Sequence, residues 1–218
     1  MGTRNLVFSE GEFYHIYSRG IEKRKIFLSK KNYKRFVYLL YTANSTEPVH
    51  LSNYQGISLM DIPRGETIVD IGAWCLMPNH FHLILKEKIE NGISIFMKKL
   101  LTGYSMYFNV KEQRKGKLFE GKFQAKHLDY DQYLKYEFTY VHLNPISLIE
   151  EGWKDKYIGD KKKARDFLDS YEYSSYPDYS GVDRPERKIL EKNTFPEYFE
   201  TRADFQEMVD EWINFKNN

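Results

Sequence analysis

The clearest pattern in the chain is the alternation His80-Phe81-His82-Leu83-Ile84-Leu85, inside the run AWCLMPNHFHLILKE. A strand turns successive side chains to opposite faces, so Phe81, Leu83 and Leu85 share one face while His80 and His82 share the other. An apolar packing surface is thereby separated from a polar working surface. Residues 68–76 and 80–86 predict a hairpin around Met77-Pro78-Asn79. Residues 13–18 (FYHIYS) predict an earlier strand ended by the Arg19-Gly20 turn signal, and 122–128 a later one.

Between the strands the apolar period lengthens to that of a helix. Tyr33, Phe36, Val37, Leu40 and Tyr41 predict a helix over 30–43 with Ser29 as its cap, followed by a long connection over 44–66. Ile95, Phe96, Lys99, Leu100, Gly103 and Tyr107 trace a stripe on a second helix over 93–110. In a third, capped by Asp129 or Asp131 and ended by Asn144-Pro145, Leu134, Phe138 and Val141 form the buried stripe. The order strand, helix, strand, strand, helix, strand, helix gives an α+β fold. Its first six elements suit a ferredoxin-like sandwich, a four-stranded antiparallel sheet with two helices on one face. The seventh must sit elsewhere. The expected organisation is one principal domain over 1–150 and an appendage over 151–218. That appendage holds the charge run Lys161-Lys162-Lys163, a tyrosine-rich turn region and an acidic helix over 202–215.

Charge sharpens this picture. The formal net charge is only +2, yet residues 98–126 carry eight Lys or Arg against two Glu, while 164–218 carry seven basic against thirteen acidic residues. The basic stretch is interleaved with Tyr104, Tyr107, Phe108, Phe119 and Phe123, a composition suited to holding a phosphate backbone and stacking bases, or to a solvated helix face. Cys75 is the single cysteine, which excludes an internal disulfide and a cysteine-built metal cage and makes it a small core residue. With neither a long apolar run nor a secretory signal, a soluble cytoplasmic protein is expected.

Two histidines on one strand face make half a metal site. In the third helix Tyr133, Glu137, Tyr140 and Asn144 lie to one side of the buried stripe, with Tyr140 and Asn144 one turn apart. If that helix crosses the open face of the sheet, Asn144 offers an amide oxygen to a cation held by His80 and His82, and Tyr140 stands beside it. Glu137 is the alternative third ligand. His15 shares the face with Phe13 and Tyr17 and is a candidate for DNA contact, for supporting a metal ligand, or for the core. Arg19, Lys23, Arg24 and Lys25 after the first strand, and Lys122 and Lys126 on the last, are candidates for gripping phosphate.

Taken in order, YHIYSRGIEKRKIF, MPNHFHLIL, LFEGKF and TYVHLNP resemble the single-tyrosine HUH transposases, most closely the REP-associated tyrosine transposases of bacteria. These segments span 13–145, and YSSYPDYSG resembles the group's downstream region. The resemblance implies a ferredoxin-like catalytic core, a divalent metal, and cleavage and joining of single-stranded DNA beside a hairpin. It implies His80 and His82 as metal ligands and Tyr140 as the nucleophile that forms a 5′-phosphotyrosine. Mixed nitrogen and oxygen ligands suit Mg²⁺ or Mn²⁺, although histidines also attract Zn²⁺. The expected partner is single-stranded DNA with hairpin structure, bound by a monomer or homodimer. The principal rival is a noncatalytic single-stranded nucleic-acid-binding protein built on the same sheet. More distant alternatives are a rolling-circle replication nuclease and a hydrolase of small phosphoesters.

Overall fold

The computed structural model describes residues 6–58, 61–153, 158–195 and 201–215. Strands β1 (Phe13–Arg19), β2 (Val69–Met77), β3 (His80–Glu87) and β4 (Gln124–His127) form one antiparallel sheet in the order β2-β3-β1-β4. Helix α1 (Lys30–Thr42) joins β1 to β2, and α2 (Gly92–Lys111) joins β3 to β4. This connectivity and strand order are those of the ferredoxin-like sandwich expected from the element order. The last strand is shorter than expected: Lys122 lies before it, and only Lys126 of that pair is in the ladder.

Alternation divides the sheet as the sequence pattern requires. Tyr14, Ile16, Trp74, Leu76, Phe81, Leu83 and Leu85 face α1 and α2 and build the main core with Phe36, Leu40, Phe96 and Leu100. The buried stripe of α2 is Ile93, Phe96, Met97, Leu100, Tyr104 and Phe108, rotated from the one expected, and Ile95 is exposed. Two overlapping stripes both satisfied the helical period there, and the one richer in large apolar groups faces the sheet. Tyr104, Phe108 and Phe119 are therefore core residues and present no ring for base stacking.

The opposite face is half covered. Helix α3 (Asp131–Leu143) lays Leu134, Phe138 and Val141 over Ala73, Cys75 and Ile84, joined by Tyr171 and Phe195 from the C-terminal extension. Cys75 is buried in this layer, which pushes its thiol pKa up. The extension adds α4 (Lys161–Ser170), α5 (Tyr176–Tyr179) and α6 (Arg202–Phe215). The lysine run opens α4, where Asp160 Oδ1 accepts from Lys163 N at 2.9 Å as an N-cap. Residues 173–175 run beside β2, with Leu76 N donating to Tyr173 O at 2.9 Å and Ser175 N to Trp74 O at 2.8 Å. No helix among the described residues is long and apolar enough to cross a membrane.

Candidate active site

Where α3 leaves β1 and β3 uncovered, the register brings the polar residues together. Tyr17 pairs with His82, Arg19 with His80, and His15 with Lys126, all on the face opposite the core. The His80 and His82 rings lie 5.0 Å apart, nearly perpendicular. Because the apolar stripe of α3 must face β2 and β3, the adjacent stripe of that helix hangs over this patch. Glu137 reaches β1 and β4, and the Tyr140 ring stands 5.6 Å from that of His82 and 6.0 Å from that of His15. Trp153 stacks at 6.3 Å behind Tyr140 and fixes its ring.

Each histidine of the pair is oriented by a neighbour. Asn79 Oδ1 lies 2.7 Å from His80 Nδ1, and Asn79 Nδ2 donates to Lys23 O at 3.2 Å. An amide oxygen only accepts, so His80 carries a proton on Nδ1. Nδ1 of His82 faces His15 Nε2 at 2.8 Å. His15 Nδ1 in turn lies 2.8 Å from Glu137 Oε2, an oblique approach, and Lys126 Nζ donates to Glu137 Oε1 at 3.3 Å. His15 is 2 % exposed and Glu137 3 %, so both belong to the interior of the site. Burial raises the Glu137 carboxyl pKa, but His15 and Lys126 outweigh it and hold the group below its usual range. Glu137 is thus engaged by β1 and β4, and His15 has no surface left for DNA.

Asn144 is 2 % exposed and sits one helical turn after Tyr140, close enough to pull the Tyr140 pKa down. Its Nδ2 has no hydrogen-bond partner. A bare buried amide nitrogen costs about 1–3 kcal/mol. Two imidazoles whose Nδ1 atoms face neighbours, with one buried amide beside Tyr140, are a donor set that fits a divalent cation. Among the described residues no three His, Cys, Asp or Glu side chains form a metal-holding group. Burial pushes the Tyr140 pKa up to about 12, with the Asn144 contact pulling the other way.

The basic candidates divide by exposure. Arg19 is exposed, sits beside His80 and pairs with Glu120. Lys23 and Lys25 are exposed in the loop after β1, whereas Arg24 is half-buried and donates to Ile21 O at 3.3 Å. That loop is fastened to the β2–β3 turn: Gly20 N donates to Asn79 O, and Ile26 N and Phe27 N donate to Pro78 O. Glu22 and Lys23 take left-handed φ values of 55° and 57°, a conformation that costs of order 1 kcal/mol or more for each residue. Lys122 is exposed, while Lys126 is tied to Glu137. Sequence reasoning missed the part played by Asn79, although its place immediately before His80 in a two-residue turn was the available signal.

Comparisons with known proteins bear on the family and on the fold. Residues 64–144 match the model of the family described as "Transposase IS200 like", a segment that contains His80, His82, Tyr140 and Asn144. The motif resemblance to tyrosine transposases is borne out. Among solved structures, the chain is similar to a REP-associated tyrosine transposase bound to a REP hairpin, with a TM-score of 0.50 and 12 % identity, over 85 % of this chain and 90 % of that one. No curated protein matches the chain significantly.

Proposed function

We propose that the protein is a metal-assisted transposase, a strand transferase that cuts and rejoins single-stranded DNA beside hairpins through Tyr140. The observation that carries this reading is the convergence of one tyrosine from α3 on the paired histidines of β3, with Asn144 one turn further along the same helix. Tyr140 Oη attacks a backbone phosphorus, the bond to the 3′-oxygen breaks, and that oxygen leaves as a 3′-hydroxyl after taking a proton. A 5′-phosphotyrosine remains. Attack by another strand's 3′-hydroxyl reverses the exchange and frees Tyr140, so rejoining needs no nucleotide cofactor.

With a pKa pushed up to about 12, the phenol is protonated at neutral pH and must lose its proton as the new bond forms. Asn144 pulls the Tyr140 pKa down and so favours the developing phenoxide. His80, His82 and Asn144 would hold Mg²⁺ or Mn²⁺, which supplies Lewis-acid stabilisation of charge on the phosphate. Arg19, Lys23 and Lys25 line the approach from β1 and suit backbone phosphates, while a hairpin stem and its flanking bases supply the recognised shape.

A labelled single-stranded hairpin incubated with the protein and Mn²⁺ tests this directly. A covalent protein–DNA adduct is expected from the wild type and none from Tyr140→Phe or after chelation. Persistence of the adduct in Tyr140→Phe removes Tyr140 from the role. A binding-only protein forms no adduct with any metal, even where it retains the DNA.

A further inference from the structure

We infer that Trp153 and Trp212 of the C-terminal extension are positioning residues for Tyr140, closing with it an aromatic clamp that sets the direction of the phenol. The inference rests on the proposed strand-transfer reading and names the part of the chain outside the sheet on which that chemistry depends. Helix α3 carries Tyr136 and Tyr140 at a spacing of four, so their rings leave the same side of the helix one turn apart. Both meet tryptophans of the extension. The Trp153 ring lies 6.3 Å from that of Tyr140 at an interplanar angle of 14°, and the Trp212 ring of α6 lies 5.0 Å from that of Tyr136. The two indoles are 6.3 Å apart, which closes the circuit.

A tyrosine ring on a helix surface has several staggered directions open to it. An indole packed nearly parallel to the phenol occupies space that the ring would otherwise sweep, so fewer directions remain. Trp153 is well placed to hold that position. It is 2 % exposed and sits in the core of the extension with Leu143, Ile146, Phe205 and Val209. Its Nε1 has no hydrogen-bond partner among the described residues, so packing holds the indole. Helix α6 also grips α3 beside the nucleophile, where the Thr139 hydroxyl donates to the Met208 sulfur, and Arg165 of α4 pairs with Asp210 to fasten α6 in turn. Arg19, Lys23 and Lys25 lie on β1 and the loop after it, outside the clamp, so holding DNA and aiming the nucleophile are separable tasks. A misplacement of about 1 Å, caused far from the reacting atoms, costs on the order of 100-fold in rate.

The test compares Trp153→Ala, Trp153→Phe and Trp212→Ala with the wild type. Three quantities are read: the single-turnover rate of adduct formation with saturating labelled hairpin and Mn²⁺, the affinity for that hairpin, and the ring signals of Tyr140 in ¹³C-tyrosine-labelled, DNA-free protein. Trp153→Ala is expected to slow adduct formation roughly 10–100-fold, to keep hairpin affinity within about twofold, and to move the Tyr140 signals as the indole ring current is lost. Trp212→Ala removes only the backing and should shift the rate and the signals the same way by less. It replaces a half-buried side chain, so it carries the test if Trp153→Ala does not fold. Trp153→Phe keeps a ring in place and gives up an N–H that no described residue accepts, so it should recover most of the rate. Wild-type rates with unmoved Tyr140 signals in a folded alanine variant overturn the inference, as does a loss of rate matched by an equal loss of hairpin affinity. A wild type that forms no adduct sinks the strand-transfer reading instead, and the Tyr140 signals still decide the clamp.

Discussion

Ser175 joins the C-terminal extension to both the sheet and the helix that carries Tyr140, and Ser175→Ala should expose how much that joint is worth. His142 Nδ1 lies 2.9 Å from Phe138 O, a carbonyl that only accepts, so the His142 proton is on Nδ1 and Nε2 accepts from Ser175 Oγ at 2.7 Å. Ser175 Oγ also accepts from Trp74 N at 3.0 Å. Burial pushes the His142 pKa down to about 3, in keeping with a neutral ring held in this one tautomer. Ser175, His142 and Trp74 are all completely buried. Alanine therefore leaves one acceptor and one donor without partners or water, at about 1–3 kcal/mol each, or roughly 2–6 kcal/mol together. For a chain of this size each kcal/mol lowers Tm by about 2–4 °C, so a loss of roughly 5–15 °C is expected. Urea unfolding should show a lower midpoint at constant slope, because the backbone bonds of residues 173–175 to β2 remain. Ser170→Ala is the control: its hydroxyl bonds Phe167 O at an exposed position and should change stability by less than about 0.5 kcal/mol. A Ser175→Ala loss no larger than the control's would refute the reasoning.

Glu87 accepts from Ile93 N at 2.7 Å at the start of α2, and burial raises its pKa. The folded state then binds the proton more readily than the unfolded state, so this group's contribution is full below its ordinary range and is lost as pH rises through the raised value. Glu87→Gln, which mimics the protonated form, should gain stability relative to wild type as pH rises from 5 to 8 in paired urea melts, and a pH-independent difference would contradict the assignment. At Gly72, beside an irregularity in the β2–β3 register, an added Cβ would fall 2.5 Å from the Phe195 ring. Gly72→Ala should cost about 1–3 kcal/mol, part of which returns when Phe195→Leu is combined with it, and strict additivity of the two changes would show that they do not meet.

How much of this was legible in the sequence follows from the range of the forces involved. Strand alternation and the stripe Leu134, Phe138, Val141 were readable because the solvent boundary imposes them locally, and both occur as expected. The phase of α2 was not readable, since a chain with two competing stripes is settled only by which one meets the sheet. Helix α6 was read correctly as 202–215 from its own periodicity. Helix α4 was taken as a charge run because its three leading lysines mask the buried Ala164 and Leu168.

The site divides in the same way. His80 and His82 declare themselves by a spacing of two, and Tyr140 and Asn144 by a spacing of four, because each pair lies within one element. The role of Glu137 could not be read that way. From its helix it was equivalent to any other carboxylate beside Tyr140, and only the β1–β3 and β1–β4 registers put His15 diagonal to His82 and next to Lys126. Tertiary placement puts this carboxylate between a strand histidine and a strand lysine. The same placement explains why the polar face tolerates so many buried polar groups: each of His15, His82 and Glu137 spends its interactions on another element, so the cost of desolvation is offset only when α3 is seated. A site assembled in this way has its geometry when the helix is docked and loses it when the helix is not, which ties chemical competence to the packing of Leu134, Phe138 and Val141.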